Sequence, residues 1–487
     1  MSPHALPIAD LPTGLYIGGQ WRDAADGARI EVLDPATGTV LTDVASGSPE
    51  DGRAAVEAAA AAAEGWAATP PRQRGEILRR SYELMIEHRD ALAELIALEG
   101  GKSRRDAEGE VTYAAEFYRW FAEEAVRGSG HVQHAPGGDK RILTVLQPVG
   151  VAVLITPWNF PAAMATRKIG PALAAGCTVV LKPASETPLT ALAIAHLMAQ
   201  AGTPAGVVNV VTAQRPGPVV AAMLDHPATR KLSFTGSTEV GRLLLRQAAD
   251  KVLNCSMELG GNAPFIVFAD ADIDAAVEGA MAAKMRNAGA SCIAANRFLV
   301  EDAVAEEFTS RLADRMAALK VGPGSDPTND VGPMITAQAC DDIATMVDAS
   351  VRSGAEVLVG GAAREGVGSF YEPTVLSAVA PDDPILAEEI FGPVAPVVTF
   401  ASEEEAIRIA NDTPYGLAAY VYSSDLARAL RVSERVHAGM VGVNRGFISD
   451  PAAPFGGVKQ SGLGREGGHE GLLEFLEAKY IAVDWDD

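Results

Sequence analysis

The sequence predicts an α/β protein whose main sheet is parallel and doubly wound. In the middle of the chain, short apolar runs such as 149–155 and 178–181 alternate with helical stretches near 162–175 and 189–201. This alternation is typical of βαβ units, in which each strand is followed by a crossover helix. A second alternating region, about 262–440, predicts another α/β domain. Ligands of such sheets bind at the carboxyl ends of the parallel strands.

The other elements follow from local signals. Residues 16–46 alternate strand-like pieces with turn residues, which predicts an antiparallel hairpin at the start of the chain. Ser48 followed by Pro49 predicts the beginning of a helix, and apolar residues at helical spacing predict two further helical segments at about 72–99 and 104–127. The remaining elements of the first sheet are strands at 207–211 and 231–234 and helices near 216–224 and 239–249.

The charge balance excludes some classes of partner. The 487 residues include 40 Lys and Arg and 63 Asp and Glu, which gives a net charge of -23. Nucleic acids and anionic membranes are bound through clustered basic residues, so neither is expected as a partner. No stretch approaches the ~20 apolar residues that span a bilayer, and residues 1–12 lack the pattern of a signal peptide. We therefore expect a cytoplasmic location.

No metal site is expected. The four cysteines are Cys177, Cys255, Cys292 and Cys340. None of them forms a CxxC pair, and His131 and His134 lie in a strand-like segment where their side chains would point to opposite faces. Reduced thiols and no bound metal are predicted.

A glycine-rich turn is the one candidate for binding phosphate. Gly236 and Gly241 follow the predicted strand that ends at Phe234 and begin a helix, but no Lys and Ser/Thr pair follows, so the turn is not a P-loop. The free N–H groups of a helix N-terminus suit a pyrophosphate. The alternative is that these glycines only allow the strand and the helix to pack closely.

Three residues have types that fit covalent catalysis. Cys292 follows a turn of small residues, Glu258 directly precedes two glycines, and Asn159 lies just after the first strand of the parallel sheet. A free cysteine is most often a small buried hydrophobe. A nucleophilic thiol also needs a base or a field that favours the thiolate, and the carboxylate and the amide in the same chain favour that role.

The chain resembles the aldehyde dehydrogenase superfamily from about residue 15 to the C-terminus. The matching blocks are 157–161 (PWNFP), 182–185 (KPAS), 234–237 (FTGS), 258–262 (ELGGN), Cys292, 389–393 (EIFGP) and 454–457 (PFGG). Seven blocks in order make the resemblance specific. It implies that Cys292 is the nucleophile, that Glu258 is the general base, and that Asn159 donates a hydrogen bond to the oxyanion.

The resemblance also implies the arrangement of the chain. An aldehyde dehydrogenase-like fold has a doubly wound parallel-sheet cofactor domain, an α/β catalytic domain and a small β oligomerisation element. These are predicted at 1–130 with 148–257, at 258–455, and at 131–147 with 474–487, respectively. A homodimer or homotetramer follows from the resemblance. The alternative is an ordinary hairpin that covers a sheet edge.

NADP is the cofactor that we expect, and NAD is possible. The cofactor-binding residues implied by the resemblance are Ile155, Thr156, Pro157, Trp158, Lys182, Ser185, Gly236, Ser237, Val240, Leu259, Glu389 and Phe391. In the superfamily, a glutamate at the position of Ser185 repels a 2′-phosphate. A neutral hydroxyl there, beside Lys182, predicts that the phosphate is accepted, although Glu186 would oppose this if it turned inward.

Within the superfamily the chain is most similar to succinate-semialdehyde dehydrogenases. The similarity lies in 163–168 (AMATRK), 286–289 (RNAG) and 462–467 (GLGREG), and it implies that Arg167, Arg286 and Ser449 hold the substrate carboxylate. Discrimination by chain length is weaker than discrimination by charge, so glutarate semialdehyde is a plausible second substrate. One alternative is an enzyme for uncharged aliphatic or aromatic aldehydes. Another is a non-catalytic binding protein that kept the fold.

Overall fold

The structure is a computed structural model that describes residues 11–484. The strands are β1 (Leu15–Ile17), β2 (Gln20–Arg22), β3 (Arg29–Leu33), β4 (Val40–Ala45), β5 (His131–His134), β6 (Arg141–Pro148), β7 (Val151–Ile155), β8 (Thr178–Lys182), β9 (Val208–Val210), β10 (Thr229–Thr235), β11 (Asn254–Glu258), β12 (Ala263–Val267), β13 (Ala295–Glu301), β14 (Glu356–Val359), β15 (Thr374–Ser377), β16 (Val394–Phe400), β17 (Ala418–Tyr422), β18 (Met440–Val443), β19 (Gly462–Leu463) and β20 (Leu476–Val483). The helices are α1 (Pro49–Ala68), α2 (Pro71–Glu87), α3 (Arg89–Gly100), α4 (Arg104–Glu124), α5 (Pro161–Ala175), α6 (Pro188–Gln200), α7 (Pro216–Leu224), α8 (Thr238–Ala249), α9 (Ile273–Met285), α10 (Ala305–Ala317), α11 (Ala337–Arg352), α12 (Glu403–Asn411), α13 (Leu426–Arg435) and α14 (Gly468–Leu473).

The first sheet has helices on both faces. Its order is β19-β11-β10-β7-β8-β9-β1-β2, and the strands from β11 to β9 are parallel. Alternate residues of β7 belong to different cores: Val151 and Val153 pack with α1 and α7, whereas Ala152 and Leu154 pack on the side of α5 and α6. A strand buried on both faces has no polar alternation, which is why it reads as a continuous apolar run. The predicted doubly wound α/β fold is confirmed.

The second sheet begins directly after the first. Its order is β14-β15-β16-β13-β12-β17-β18, with β14 antiparallel to the other strands. Residues 259–262 connect β11 of the first sheet to β12 of the second. The carboxyl end of β11 therefore lies close to the amino end of β12, and the loops that meet there form the site described below.

A small sheet of β5, β6 and β20 stands apart from these two. β20 pairs with β6 over eight residues, from Leu476 opposite Pro148 to Val483 opposite Arg141. Most of its side chains are partly or fully exposed. The division into domains stays a prediction, and its segments 1–10 and 485–487 lie outside the described residues. The expectation that residues 1–12 form no signal peptide also falls almost wholly outside them. β19, which no predicted domain included, adds to the edge of the first sheet.

The predicted helical segment 72–99 is two helices. The chain turns at His88, where φ is -97° and ψ is 17°, so α2 ends at Glu87 and α3 begins at Arg89. The break has no Pro or Gly, and apolar residues continue at helical spacing on both sides, so no local signal in the sequence indicates it. Packing decides it, because Leu92 and Ile96 of α3 are fully buried in the core. No helix among residues 11–484 has the length and apolar character needed to cross a bilayer.

Candidate active site

Four strand ends of the first sheet carry the predicted residues. β7 is followed by 156–159, β8 ends at Lys182, β10 is followed by Gly236, and β11 ends at Glu258. Parallel strands place their carboxyl ends at one edge of the sheet, which brings segments that are distant in sequence together. Thr156 N–H donates to the Lys182 carbonyl over 3.2 Å and ties the first two of these ends.

A cleft of about 240 Å³ lies at this edge, between the two sheets. Its lining residues are Pro157, Trp158, Asn159, Phe160, Met164, Thr235, Gly236, Ser237, Leu259, Gly260, Cys292, Glu389 and Phe391. Nine of these are residues that the sequence predicted for catalysis or cofactor binding. The cleft therefore joins the predicted nucleophile to the predicted phosphate-binding turn.

Cys292 sits on a tightly packed loop beside the turn that follows Glu258. A Cβ on Gly261 would lie 2.1 Å from the Cys292 carbonyl oxygen, so only glycine permits this approach. Asn159 Nδ2 donates to the Ala290 carbonyl over 3.1 Å, and this contact orients the amide next to the loop. The structure thus places the predicted nucleophile and the predicted oxyanion donor on adjoining segments.

The resting thiol of Cys292 is uncharged at neutral pH. Burial raises its pKa to about 12, and the carboxylates of Glu389 and Glu258 add to the rise, whereas the guanidinium groups of Arg167 and Arg286 oppose it. Attack on an aldehyde therefore requires removal of the thiol proton when substrate is bound. The two nearby arginines are the groups that favour the thiolate.

Glu258 is a buried carboxyl group. It is 2% exposed, and neither carboxyl oxygen has a partner within residues 11–484. Burial raises its pKa well above 4.5, the negative charge of Glu466 raises it further, and Arg167 and Lys168 oppose the rise. A carboxyl group with a raised pKa is a stronger base once ionised, and its free oxygens can accept a proton from water.

This environment predicts the pH dependence of turnover. Only ionised Glu258 can accept a proton, so kcat should increase with pH along a limb whose midpoint lies well above 4.5. Steady-state rates measured from pH 5 to pH 10 test this. The Glu258→Gln variant should lose the limb. A midpoint near 4.5, or an unchanged limb in the variant, would contradict the assignment.

Arg167 is buried and already paired. It is 1% exposed, its Nε lies 2.5 Å from Glu466 Oε2, and its guanidinium carbon lies 4.1 Å from the centre of the Phe455 ring. Lys168 Nζ contacts the other oxygen of Glu466 over 2.5 Å. The single carboxylate of Glu466 thus faces two cations, and this group of three side chains keeps one net positive charge.

Arg286 has a different environment. Its guanidinium carbon lies 4.6 Å from the ring centre of Phe160, 4.9 Å from that of Phe447 and 5.5 Å from that of Tyr113. Among the described residues, no carboxylate forms an ion pair with it. Aromatic faces attract the cation without neutralising it, which leaves its N–H groups available to an anion. Ser449 is buried, with 8% exposure, and no hydrogen bond holds its hydroxyl group within residues 11–484.

The residues around Lys182 fit the phosphate-bearing part of a dinucleotide. Lys182 is 6% exposed and forms no hydrogen bond or ion pair with another described residue. Burial lowers its pKa to about 8, and the carboxylate of Glu186 opposes the shift. Ser185 Oγ donates to Glu186 Oε2 over 3.2 Å. An anionic ligand would stabilise the charged form of this lysine.

The turn after β10 completes this half of the cleft. Ser237 caps α8 by accepting a hydrogen bond from Val240 N–H over 3.3 Å. The hydroxyl oxygen of Thr235 is buried and has no partner in the described part of the chain. A helix N-terminus with a positive dipole end and an unpaired hydroxyl group suits a pyrophosphate.

Glu389 and Phe391 close the opposite side of the cleft. The Gly261 N–H donates to Glu389 Oε1 over 3.3 Å, and burial raises the pKa of this carboxyl group to about 7. Phe391 has a left-handed backbone, with φ of 50°, and its ring contacts that of Trp158 edge to face at 5.4 Å.

Not every predicted residue lines the cleft. The predicted residues outside its lining are Ile155, Thr156, Lys182, Ser185, Val240, Glu258, Arg167, Arg286 and Ser449. Sequence reasoning missed the contacts of Glu466 with Arg167 and the aromatic residues around Arg286. Phe160 and Phe455 belong to the matching blocks 157–161 and 454–457, so a signal existed for them. Glu466 likewise belongs to the block 462–467, whereas no local pattern marks Tyr113 or Phe447. In residues 11–484, no three His, Cys, Asp or Glu side chains are placed to hold a metal ion.

Comparisons with known proteins agree on one family. The profile described as the aldehyde dehydrogenase family matches residues 21–481. A succinate-semialdehyde dehydrogenase of Paenarthrobacter nicotinovorans is 55% identical over 91% of this chain and 99% of its own. The NADP(+) succinate-semialdehyde dehydrogenase GabD of Escherichia coli is 49% identical over 96% of this chain and 97% of its own. A glutarate-semialdehyde dehydrogenase of Pseudomonas putida is also 49% identical, with the same coverage of 96% and 97%.

Solved structures give the same result. The crystal structure of a succinate-semialdehyde dehydrogenase from Burkholderia pseudomallei matches with a TM-score of 0.97 at 48% identity and covers 99% of this chain and 100% of its own. A betaine aldehyde dehydrogenase from Staphylococcus aureus in complex with NAD+ matches with a TM-score of 0.95 at 36% identity, over 99% of this chain and 97% of its own.

Proposed function

Since this chain belongs to the aldehyde dehydrogenase family and is an NAD(P)-dependent aldehyde dehydrogenase, we propose that it oxidises succinate semialdehyde to succinate with NADP, and that NAD can replace NADP. The observation that carries the substrate assignment is Arg286, a cation near the nucleophile that aromatic rings surround and that no carboxylate among residues 11–484 neutralises. The names of the relatives support the same substrate.

We propose that Cys292 is the nucleophile. Cys292 gives up its thiol proton to solvent water, its sulfur bonds to the aldehyde carbon, and the carbonyl oxygen becomes an oxyanion. Asn159 Nδ2 and the backbone N–H of Cys292 donate to this oxygen. Loss of one such donor typically costs about 3–4 kcal/mol of transition-state stabilisation. Bound NADP or NAD would supply the hydride acceptor, and loss of hydride from the tetrahedral carbon would leave a thioester on Cys292.

Glu258 then acts as the general base. Its ionised carboxyl group takes a proton from a water molecule, the hydroxide attacks the thioester, and the thiolate of Cys292 leaves. The products are succinate and the free thiol, after the thiolate regains a proton. No described residue forms a hydrogen bond to the carboxyl oxygens of Glu258, which supports this role because both oxygens are available to water.

The proposed cofactor site holds the adenosine end at Lys182 and Ser185 and the pyrophosphate at Gly236 and Ser237. Ile155, Thr156, Pro157, Trp158, Val240 and Leu259 surround these positions in the proposal. Glu389 and Phe391 hold the nicotinamide ribose. The ammonium group of Lys182, which has no partner in the described part of the chain, supports NADP, because a 2′-phosphate would give it one.

Glu186 weakens the preference for NADP in this proposal. Its carboxylate accepts from Ser185 and acts on Lys182, so it would repel a 2′-phosphate. Glu186→Gln should raise kcat/KM for NADP about 3- to 10-fold by removing roughly 1 kcal/mol of repulsion at an exposed position. The value for NAD should stay within twofold. Glu306→Gln, an exposed change on α10, is the control. An equal gain for both cofactors would contradict this effect.

Arg286 and Ser449 form the proposed site for the substrate carboxylate. Arg167, which is paired with Glu466, adds positive charge to this site. Butanal is a close uncharged analogue of succinate semialdehyde. A site built around a charged group rejects such an analogue far more strongly than it rejects one extra methylene, which changes rates by only about 10- to 200-fold. Glutarate semialdehyde is therefore the second candidate substrate, and the relative from Pseudomonas putida supports it.

The assembly and the location are also proposals. We propose a homodimer or homotetramer in which the exposed small sheet of β5, β6 and β20 contacts another copy, and light scattering on the purified protein tests this. The acidic composition and the four free cysteines fit a cytoplasmic protein.

A matrix of substrates and cofactors tests the proposed function. We expect kcat/KM to be highest for succinate semialdehyde, lower for glutarate semialdehyde and at least about 10³-fold lower for butanal, which lacks the carboxylate. Each aldehyde is assayed with NADP and with NAD. Similar values for succinate semialdehyde and butanal would favour an enzyme for uncharged aldehydes. No turnover of any aldehyde would favour a binding protein.

A further inference from the structure

The loop before Cys292 has an unusual backbone. Asn287, Ala288 and Gly289 have φ values of 53°, 52° and 78°, so three consecutive residues are left-handed. Gly289 is packed so closely that an added Cβ would lie 2.1 Å from the Gly392 carbonyl oxygen. Residues other than glycine rarely adopt this backbone conformation, and surrounding contacts must hold them in it.

Asn287 forms those contacts in both directions. Its Nδ2 donates to the Asn159 carbonyl over 2.9 Å and to the Ala290 carbonyl over 3.0 Å. Asn159 Nδ2 donates to the same Ala290 carbonyl over 3.1 Å. One buried amide group therefore joins the segment of the proposed oxyanion donor to the loop of the proposed nucleophile.

Asp106 holds the backbone of Asn287 from outside the loop. Its Oδ2 accepts from Asn287 N–H over 2.8 Å, and Asp106 itself is fixed in the first turn of α4, where its N–H donates to the N-cap Ser103 Oγ over 3.3 Å. A second support reaches Asn159. Lys102 Nζ, which pairs with buried Glu110, donates to the Asn159 carbonyl over 2.8 Å.

We propose that Asn287 is a positioning residue for the oxyanion site and that Asp106 keeps it in place. This inference rests on the proposed roles of Asn159 and Cys292. The two donors of that site come from different loops, and a shift of about 1 Å between them can cost roughly 10²-fold in rate. Asn287 fixes their separation by binding a carbonyl on each loop.

Two substitutions at Asn287 distinguish the effect of its side-chain amide from the effect of its backbone conformation. Asn287→Gly keeps the left-handed backbone without strain and removes the amide group. Asn287→Asp keeps the size and the tolerance for positive φ, but a carboxylate cannot donate to two carbonyls. Both variants should lower kcat about 10- to 100-fold and leave KM within threefold. The rate of Cys292 alkylation by iodoacetamide should stay within threefold, because alkylation forms no oxyanion.

Asp106 offers a conservative rescue. Asp106→Asn keeps an oxygen that accepts from Asn287 N–H and should retain kcat within twofold, whereas Asp106→Ala should lose about tenfold. The matched control is Asn209→Asp. Asn209 is also buried and donates to two carbonyls, those of Val179 and Gly206, but it lies in β9 away from the cleft. This control should lower Tm and leave kcat unchanged.

The series is run with the aldehyde that the wild-type enzyme oxidises fastest. A different best aldehyde would thus overturn the substrate assignment and still test Asn287. The inference is overturned if the Asn287 variants keep kcat within twofold, if alkylation slows as much as kcat, or if Asp106→Asn loses as much activity as Asp106→Ala.

Discussion

Replacing Cys292 with alanine is expected to lower kcat by about 10⁴- to 10⁶-fold, the range for removing a nucleophile from a covalent mechanism. Among the residues that line the cleft, Cys292 is the one thiol, because Cys177 and Cys340 are buried in the cores and Cys255 is half-buried in β11. Without the thiol no hemithioacetal forms. The aldehyde carbon then does not become tetrahedral, and hydride transfer from it does not occur. Reduction of NADP by succinate semialdehyde, followed by absorbance, measures this.

Cys340→Ala is the control for this loss. Cys340 is buried in α11 and packs in the core of the second sheet, so its replacement should change Tm but leave kcat within twofold. Binding of NADP to Cys292→Ala should be retained, which separates the loss of chemistry from the loss of the site. A variant at Cys292 with a tenth of the wild-type rate would contradict the proposed nucleophile.

The second large effect is expected at Arg286. Arg286→Met should lower kcat/KM for succinate semialdehyde about 10²- to 10³-fold, since loss of one partner of a desolvated charge pair costs roughly 3–4 kcal/mol. Methionine retains much of the length and can still pack among the aromatic rings. The value for butanal should change less than about threefold, because butanal has no carboxylate to lose a partner.

Comparison of the two aldehydes makes this prediction specific. A collapse of the aromatic pocket would lower kcat/KM for both aldehydes. Loss of the group that binds the carboxylate would lower kcat/KM for succinate semialdehyde alone. Arg105→Met, an exposed change on α4, should affect neither. If the Arg286→Met variant keeps its preference for succinate semialdehyde, Arg286 does not recognise the carboxylate, and Arg167 or Ser449 would have to do so.

Much of the fold could be predicted because its signals are local. β7 and β8 are buried on both faces and read as apolar runs, and Ser48 and Pro49 mark the start of α1. The break at His88 could not be predicted, because it depends on how α3 packs and not on a residue with a special backbone.

The site divides in the same way. Cys292, Glu258 and Asn159 lie in short blocks that resemble a family, so each could be located from a few neighbouring residues. The pairing of Arg167 with Glu466 joins positions about 300 residues apart, and no spacing in the sequence indicates it. The aromatic rings around Arg286 come from three separate segments, and only the folded chain brings them together.

Trapping of the covalent intermediate is the most direct test of the proposed reaction. Glu258→Gln should attack the aldehyde and transfer the hydride but hydrolyse the thioester slowly. After incubation with succinate semialdehyde and NADP, mass spectrometry of the variant should find one succinyl group on the peptide that contains Cys292, with about one NADPH formed per subunit. Absence of this adduct, or its presence on Cys177, Cys255 or Cys340 instead, would contradict the account.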